Sequence, residues 1–134
     1  MEQKAFYYSA RVYYEDTDAG GVVYHARYLH FLERARTECL REFNFSQQTL
    51  LNENKGAFVV KSMNIDYCVA ARLDDLLQVE TTVTELKGAS IIFSQTIKRD
   101  DVLLCRATVK VAYVDLGKMK PVAIPQKIKT MLIK

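Results

Sequence analysis

One long helix-period segment stands among segments that alternate, and that order constrains the fold more than any other feature of the chain. Tyr28, Leu32, Ala35, Cys39 and Phe43 recur at helical spacing and form one apolar stripe, with Arg34 and Glu38, and Glu38 and Arg41, at pairing distance on another face. The spacing predicts a helix from about Ala26 to near Asn44. Before it, Phe6, Tyr8, Ala10, Val12 and Tyr14 alternate with Tyr7, Ser9, Arg11 and Tyr13, a strand-like period rich in aromatics. After it, Ser46 can cap a short second helix reaching Glu53, closed by Asn54, Lys55 and Gly56, and the period then returns to two. Val59 to Val69, Leu77 to Val83, Ile91 to Ile97 and Leu103 to Val114 read as strands, with a turn at Lys87-Gly88 and another at Arg99-Asp100-Asp101. One helix therefore has a five-stranded, mostly antiparallel sheet to cover, which a curved α+β sheet wrapped around that helix does.

The chain has 134 residues, 49% of them AVILMFWYC, enough for one core and one domain over 1–134. No run long and apolar enough for a membrane span occurs, and no secretory cleavage pattern follows Met1. Cys39, Cys68 and Cys105 are odd in number and lack a C-x-x-C pair, which fits reduced thiols in a cytoplasmic protein. The net charge of +3 does not announce a nucleic-acid partner. Its distribution is uneven, since 117–134 holds Lys118, Lys120, Lys127, Lys129 and Lys134 and no acid. Those lysines are either plain solvated charges or a basic surface for an anionic ligand.

The densest polar stretch, Tyr14 to His25, falls at the junction of the first strand and the long helix. The first N–H groups of a helix lack intrahelical partners and carry partial positive charge, so they can hold a developing oxyanion. A carboxylate beside them can attack a carbonyl or deprotonate water, and Gly20 and Gly21 allow close approach of backbone and ligand. The bland alternative is a turn followed by an ordinary helix start. His25 is placed to donate to an oxygen or orient a carboxylate, while His30 is expected on the surface. Other site types fail on spacing. A calcium loop from Asp16 meets Gly20 and Arg27 where it needs ligands, Gly88-Ala89-Ser90 lacks the second glycine of a serine elbow, and two histidines leave no His-rich metal site.

The run RVYYEDTDAGGVVYHARY, Arg11 to Tyr28, resembles the active-site signature of the 4-hydroxybenzoyl-CoA thioesterase family of hotdog-fold proteins. Ala57-Phe-Val-Val-Lys-Ser, Arg72-Leu-Asp-Asp-Leu and Lys118-Met-Lys-Pro121 resemble its YbgC-type acyl-CoA thioester hydrolases, found with bacterial Tol–Pal genes. The resemblance implies a hotdog fold, Asp18 as the catalytic carboxylate, His25 accompanying it, and backbone N–H groups around Tyr24 and His25 polarising the thioester carbonyl. Glu15 and Asp16 match no catalytic position and read as helix-start or solvent acids. Ala19 and His25 stand where the benzoyl branch has Pro and Tyr, which speaks against a benzoyl substrate and for the YbgC-type branch; short-chain aliphatic acyl-CoA is the substrate expected. The resemblance further implies a dimer or tetramer with the site between subunits. Gly21 and Tyr24 would line it, Phe58, Val59 and Val60 would form the opposite wall, and Lys118 and Lys120 would meet the CoA phosphates. It implies no metal and no cofactor beyond the CoA of the substrate. The alternative is a non-catalytic module that binds acyl chains or acyl carrier protein.

Overall fold

The computed structural model describes residues 5–42, 56–126 and 129–130. Strand β1 (Ala5–Arg11) leads through a single 3-10 turn at Tyr14–Asp16 into helix α1 (Arg27–Glu42), followed by β2 (Gly56–Tyr67), β3 (Leu76–Lys87), β4 (Ser90–Arg99), β5 (Val102–Asp115) and the short β6 (Lys120–Pro121). Every pairing is antiparallel, in the order β1-β3-β4-β5-β2, with β6 beside β5. The sheet is curved and not closed into a barrel, with α1 packed on it. The expected five strands are present, and β6 is a sixth that the proline at its end had concealed.

Burial follows the periodicities. Tyr28, Leu32, Ala35 and Cys39 of the helical stripe are buried; Phe43 and the Ser46 to Glu53 segment lie outside the described residues. Ile91, Phe93, Gln95 and Ile97 all face the core from β4, as alternation predicts. Glu38 pairs with Arg41 at 2.7 Å.

The structure corrects two strand boundaries. The first strand stops at Arg11 instead of running to Tyr14, because the Asp16 carboxylate accepts the Tyr13 N–H at 2.9 Å and turns the chain, leaving Tyr14 82% exposed. The second strand spans Gly56–Tyr67, so Val69 lies beyond it. Within it the register shifts between Val60 and Ser62, which inserts Lys61 as an extra residue and inverts the alternation. Phe58 before the bulge and Met63 and Ile65 after it therefore pack on the core, while Val59 is exposed. A second shift, between Val83 and Glu85 in β3, adds to the bend.

Among the helical residues facing the sheet, Arg36 is the exception, 7% exposed and charged. Its Nη1 donates to Gln95 Oε1 at 2.9 Å. Gln95, itself fully buried, donates through Nε2 to the Leu32 carbonyl at 3.0 Å and the Thr81 hydroxyl oxygen at 2.9 Å. Four groups on α1, β3 and β4 thus form one connected polar contact inside an apolar layer, which fixes how the helix lies on the sheet. Gln95→Leu removes all three bonds and strands a buried guanidinium, so it is expected to cost about 2–4 kcal/mol. Urea unfolding should show a lower midpoint with an unchanged slope.

Candidate active site

The loop between β1 and α1 is a small hairpin. Thr17 bridges Val23, Asp18 N–H donates to the Val22 carbonyl at 2.9 Å, and Gly21 N–H donates to the Asp18 carbonyl at 3.0 Å. Gly21 has φ +80, the left-handed position that closes a turn of this kind and that glycine occupies without steric cost. Asp18 sits at the base of the turn, exposed, with Oδ1 accepting the Gly20 N–H at 2.8 Å. That bond holds the side chain in one orientation and leaves Oδ2 with no hydrogen bond among the described residues.

Asp16, two positions earlier, has a different environment. It is 7% exposed, which of its two readings fits the helix-start acid and not the solvent acid. Besides capping Tyr13 with its carboxylate, it uses its carbonyl to accept the Tyr24 N–H at 2.9 Å, and its Oδ1 lies 3.7 Å from Arg27 Nε. Arg27 in turn reaches the exposed Glu15, donating to its carbonyl at 3.2 Å and lying 3.8 Å from its carboxylate. Asp16 is therefore the brace that fastens the hairpin to the start of the helix. The Tyr24 amide is consumed by that brace and is not free to polarise a carbonyl. The His25 and Ala26 amides make no hydrogen bond among the described residues, and they precede α1 where partial positive charge collects.

Side chains around His25 are mainly aromatic. Its ring lies 4.5 Å from that of Tyr24 and 6.3 Å from that of Tyr67, centroid to centroid. The Tyr67 hydroxyl donates to the His25 carbonyl at 3.1 Å, which ties the end of β2 to the start of α1. Tyr28 accepts the Ala71 N–H at 3.0 Å, and the Val23 N–H donates to the Ala71 carbonyl at 2.8 Å. Burial pushes the Tyr28 and Tyr67 phenols above their ordinary values, so both are neutral hydrogen-bonding groups at physiological pH. A shallow depression of about 190 Å³ opens among His25, Tyr28, Tyr67, Cys68 and Val69. Behind it, burial raises Cys105 to about 12, and burial likewise raises Cys39 to about 11, so neither is a thiolate nucleophile. His30 is exposed, as expected.

One chain gathers Asp18, Gly21, Tyr24 and His25 at one end of the molecule. Phe58, Val59, Val60, Lys118 and Lys120 lie at the other. Tyr67 pairs with Cys105 whereas Gly56 pairs with Asp115, beside which Lys120 is also paired. From Val60 to Tyr67 the strand covers roughly 23 Å at the usual rise per residue. Phe58, Val59 and Val60 line a second cavity, of about 420 Å³, with Arg36, Leu40 and Phe93. Lys118 and Lys120 are exposed on the turn that Asp115 caps, its Oδ1 accepting the Gly117 and Lys118 N–H groups. Among the described residues no three His, Cys, Asp or Glu side chains converge to hold a metal ion, and no helix is long and apolar enough to cross a membrane.

This architecture, one helix on a curved antiparallel sheet with an acidic hairpin at the helix start, is that of the hotdog thioesterases. A family model described as the thioesterase superfamily matches residues 20–106. The chain belongs to that superfamily, a class of thioester hydrolases. Within it the resemblance to the YbgC branch is close. The acyl-CoA thioesterase YbgC of Haemophilus influenzae is 67% identical, over 96% of this chain and 95% of that protein. The acyl-CoA thioester hydrolase YbgC of Escherichia coli is 52% identical, over 96% of each. The crystal structure of a probable thioesterase from Bartonella henselae, 38% identical, superposes with a TM-score of 0.87 over 91% of this chain and all of that one.

The sequence patterns single out neither Tyr67 nor Arg36 as a site residue. Arg36 was legible, since it stands four residues after Leu32 on the buried stripe. Tyr67 falls within the strand that alternation predicts, and nothing in its spacing shows that it reaches a helix start 42 positions earlier. The contrast between the two acids is testable. Asp16→Ala should lower stability by about 1–2 kcal/mol through loss of the cap on Tyr13 and the charge facing Arg27. Asp18→Ala should leave the thermal midpoint within about 1 °C, and circular dichroism melts of the two variants compare them directly.

Proposed function

We propose that this protein hydrolyses acyl-CoA to free acid and CoA, with Asp18 as the reacting carboxylate and the amides of His25 and Ala26 as donors to the carbonyl oxygen. The observation that carries the reading is an exposed carboxylate held by Gly20 on the hairpin that leads into a helix start, whose His25 and Ala26 amides have no partner among the described residues. In one route the carboxylate attacks the thioester carbon, expels CoA thiolate and forms a mixed anhydride that water then cleaves. In the other it takes a proton from water, which attacks in its place. Both build negative charge on the carbonyl oxygen, where preorganised N–H donors act most strongly. His25 lies beside the reacting carbonyl and Tyr24 walls the thioester. No metal or further cofactor enters either route. Acyl-CoA thioesterase activity in the Haemophilus and Escherichia relatives supports the assignment.

Two copies complete the site in this reading. Strand β2 is the last in the sheet order and has Val59 43%, Val60 50% and Tyr67 47% exposed. A twelve-residue edge left open invites another strand. Antiparallel pairing of β2 with its copy about the middle of the strand sets Phe58, Val59 and Val60 beside the partner subunit's Tyr67, and so beside the partner's Asp18. Lys118 and Lys120 arrive at the same place, in reach of CoA phosphates. The free cysteines support a reducing compartment, the cytoplasm.

Asp18→Asn should reduce thiol release from short aliphatic acyl-CoA by at least ~10²-fold in chelator-treated protein, with folding and acyl-CoA binding retained. Benzoyl-CoA should be the poorer substrate. Binding of acyl-CoA or acyl carrier protein without thiol release from any ester would replace the enzyme with the binding module. Light scattering should give a dimer or a tetramer, and a monomer at micromolar concentration would remove the shared site.

A further inference from the structure

Arg36 is a buried cation in an apolar layer, and none of the described residues lies within ion-pair distance to neutralise it. A guanidinium carries five N–H donors. Among the described residues, one of them is used, in the bond to Gln95, and no carboxylate lies within ion-pair distance. Gln95 cannot turn away, because its amide nitrogen is committed to Leu32 and Thr81; the guanidinium is thereby held in one place. Joining helix to sheet through Gln95 requires only a neutral donor. A charge there costs desolvation free energy that a neutral donor would not, and that burial lowers the Arg36 pKa.

The same side chain lines the cavity of about 420 Å³, whose other walls include Phe58, Val59, Val60, Ile91 and Phe93. That volume is in the range of small-ligand sites. Glu33 is also on its margin but is exposed, where solvent and salt screen its charge. An apolar wall leading to a fixed, buried guanidinium fits a methylene chain that ends in an anion. A carboxylate there accepts two charge-assisted bonds from the unused N–H groups, a geometry that arginine provides and lysine does not.

We infer that this cavity takes the far end of the acyl group, and that Arg36 selects acyl-CoA esters whose chain terminates in a carboxylate. The inference rests on the thioesterase reading above, in which Phe58, Val59 and Val60 face the partner subunit's Asp18. The thioester then lies at that carboxylate, and the chain runs past the three residues to Arg36. Arg36 is a specificity-determining residue here and takes no part in bond making.

Matched esters that differ only at the chain end test it on the unmodified protein: adipoyl-CoA against hexanoyl-CoA, and glutaryl-CoA against pentanoyl-CoA. In at least one pair the carboxylate-terminated ester should have kcat/KM higher by ~10-fold or more, the scale of one charge-assisted contact, with the difference carried by KM. Arg36→Met should abolish the preference. A folding defect in that variant lowers the active fraction equally for both esters and leaves their ratio intact, so the ratio reports recognition alone. Hydrolysis of hexanoyl-CoA and pentanoyl-CoA as good as or better than that of their partners overturns the inference and leaves the thioesterase standing. A preference that survives Arg36→Met overturns the role of Arg36. Thiol release from none of the four esters, or from any shorter aliphatic ester, removes the thioesterase reading and this inference with it.

Discussion

The structure depends on one helix covering a sheet much wider than itself. A flat antiparallel sheet would leave its outer strands without a core, so the strands must bend toward α1. Register shifts in β2 and β3 supply part of that bend. The Arg36–Gln95–Thr81 contact then fixes where along the sheet the helix sits. With the helix placed, its first amides are placed too. The hairpin that carries Asp18 inherits its position from that start, through the bond from the Tyr24 amide to the Asp16 carbonyl and through the Tyr67 bond to the His25 carbonyl.

Two acids separated by one residue have divided roles for a geometric reason. Asp16 ends the 3-10 turn, where its side chain folds back on the preceding N–H and is covered. Asp18 begins the hairpin and is exposed, its side chain held by the Gly20 N–H. A buried, bonded carboxylate is suited to holding backbone. An exposed one, oriented but with an oxygen free, is suited to chemistry.

The strands β3, β4 and β5 were legible because their buried positions alternate over long runs, and α1 because Tyr28, Leu32, Ala35 and Cys39 share one face. The hairpin was legible as a polar, glycine-bearing break in period. What was not legible depends on contacts between distant segments. The end of β1 is decided by where the Asp16 carboxylate folds, and alternation through Tyr14 carries no trace of that. Lys61 is an ordinary strand residue until its partner strand skips it, so alternation alone carries no trace of the change of face between Val59 and Met63. The commitment of the Tyr24 amide likewise follows from a neighbouring carbonyl that only the folded hairpin brings near.

The bulge at Lys61 bears on function through register. On the reading proposed above, β2 must pair with its own copy, and the acyl wall of each site comes from the residues just before the bulge while Tyr67 lies after it. A slip of one residue between two such strands would turn every side chain to the opposite face. A bulge near the centre of the strand opposes that slip, because it makes one alignment of the two copies sterically distinct from its neighbours. In that reading the acyl wall lies at one end of β2 and Tyr67, beside the helix start, at the other, so each chain would contribute half of two sites. Association free energy and catalytic competence are then linked by mass action: whatever loosens the strand pairing withdraws the wall from the carboxylate, even with Asp18 and its amides undisturbed.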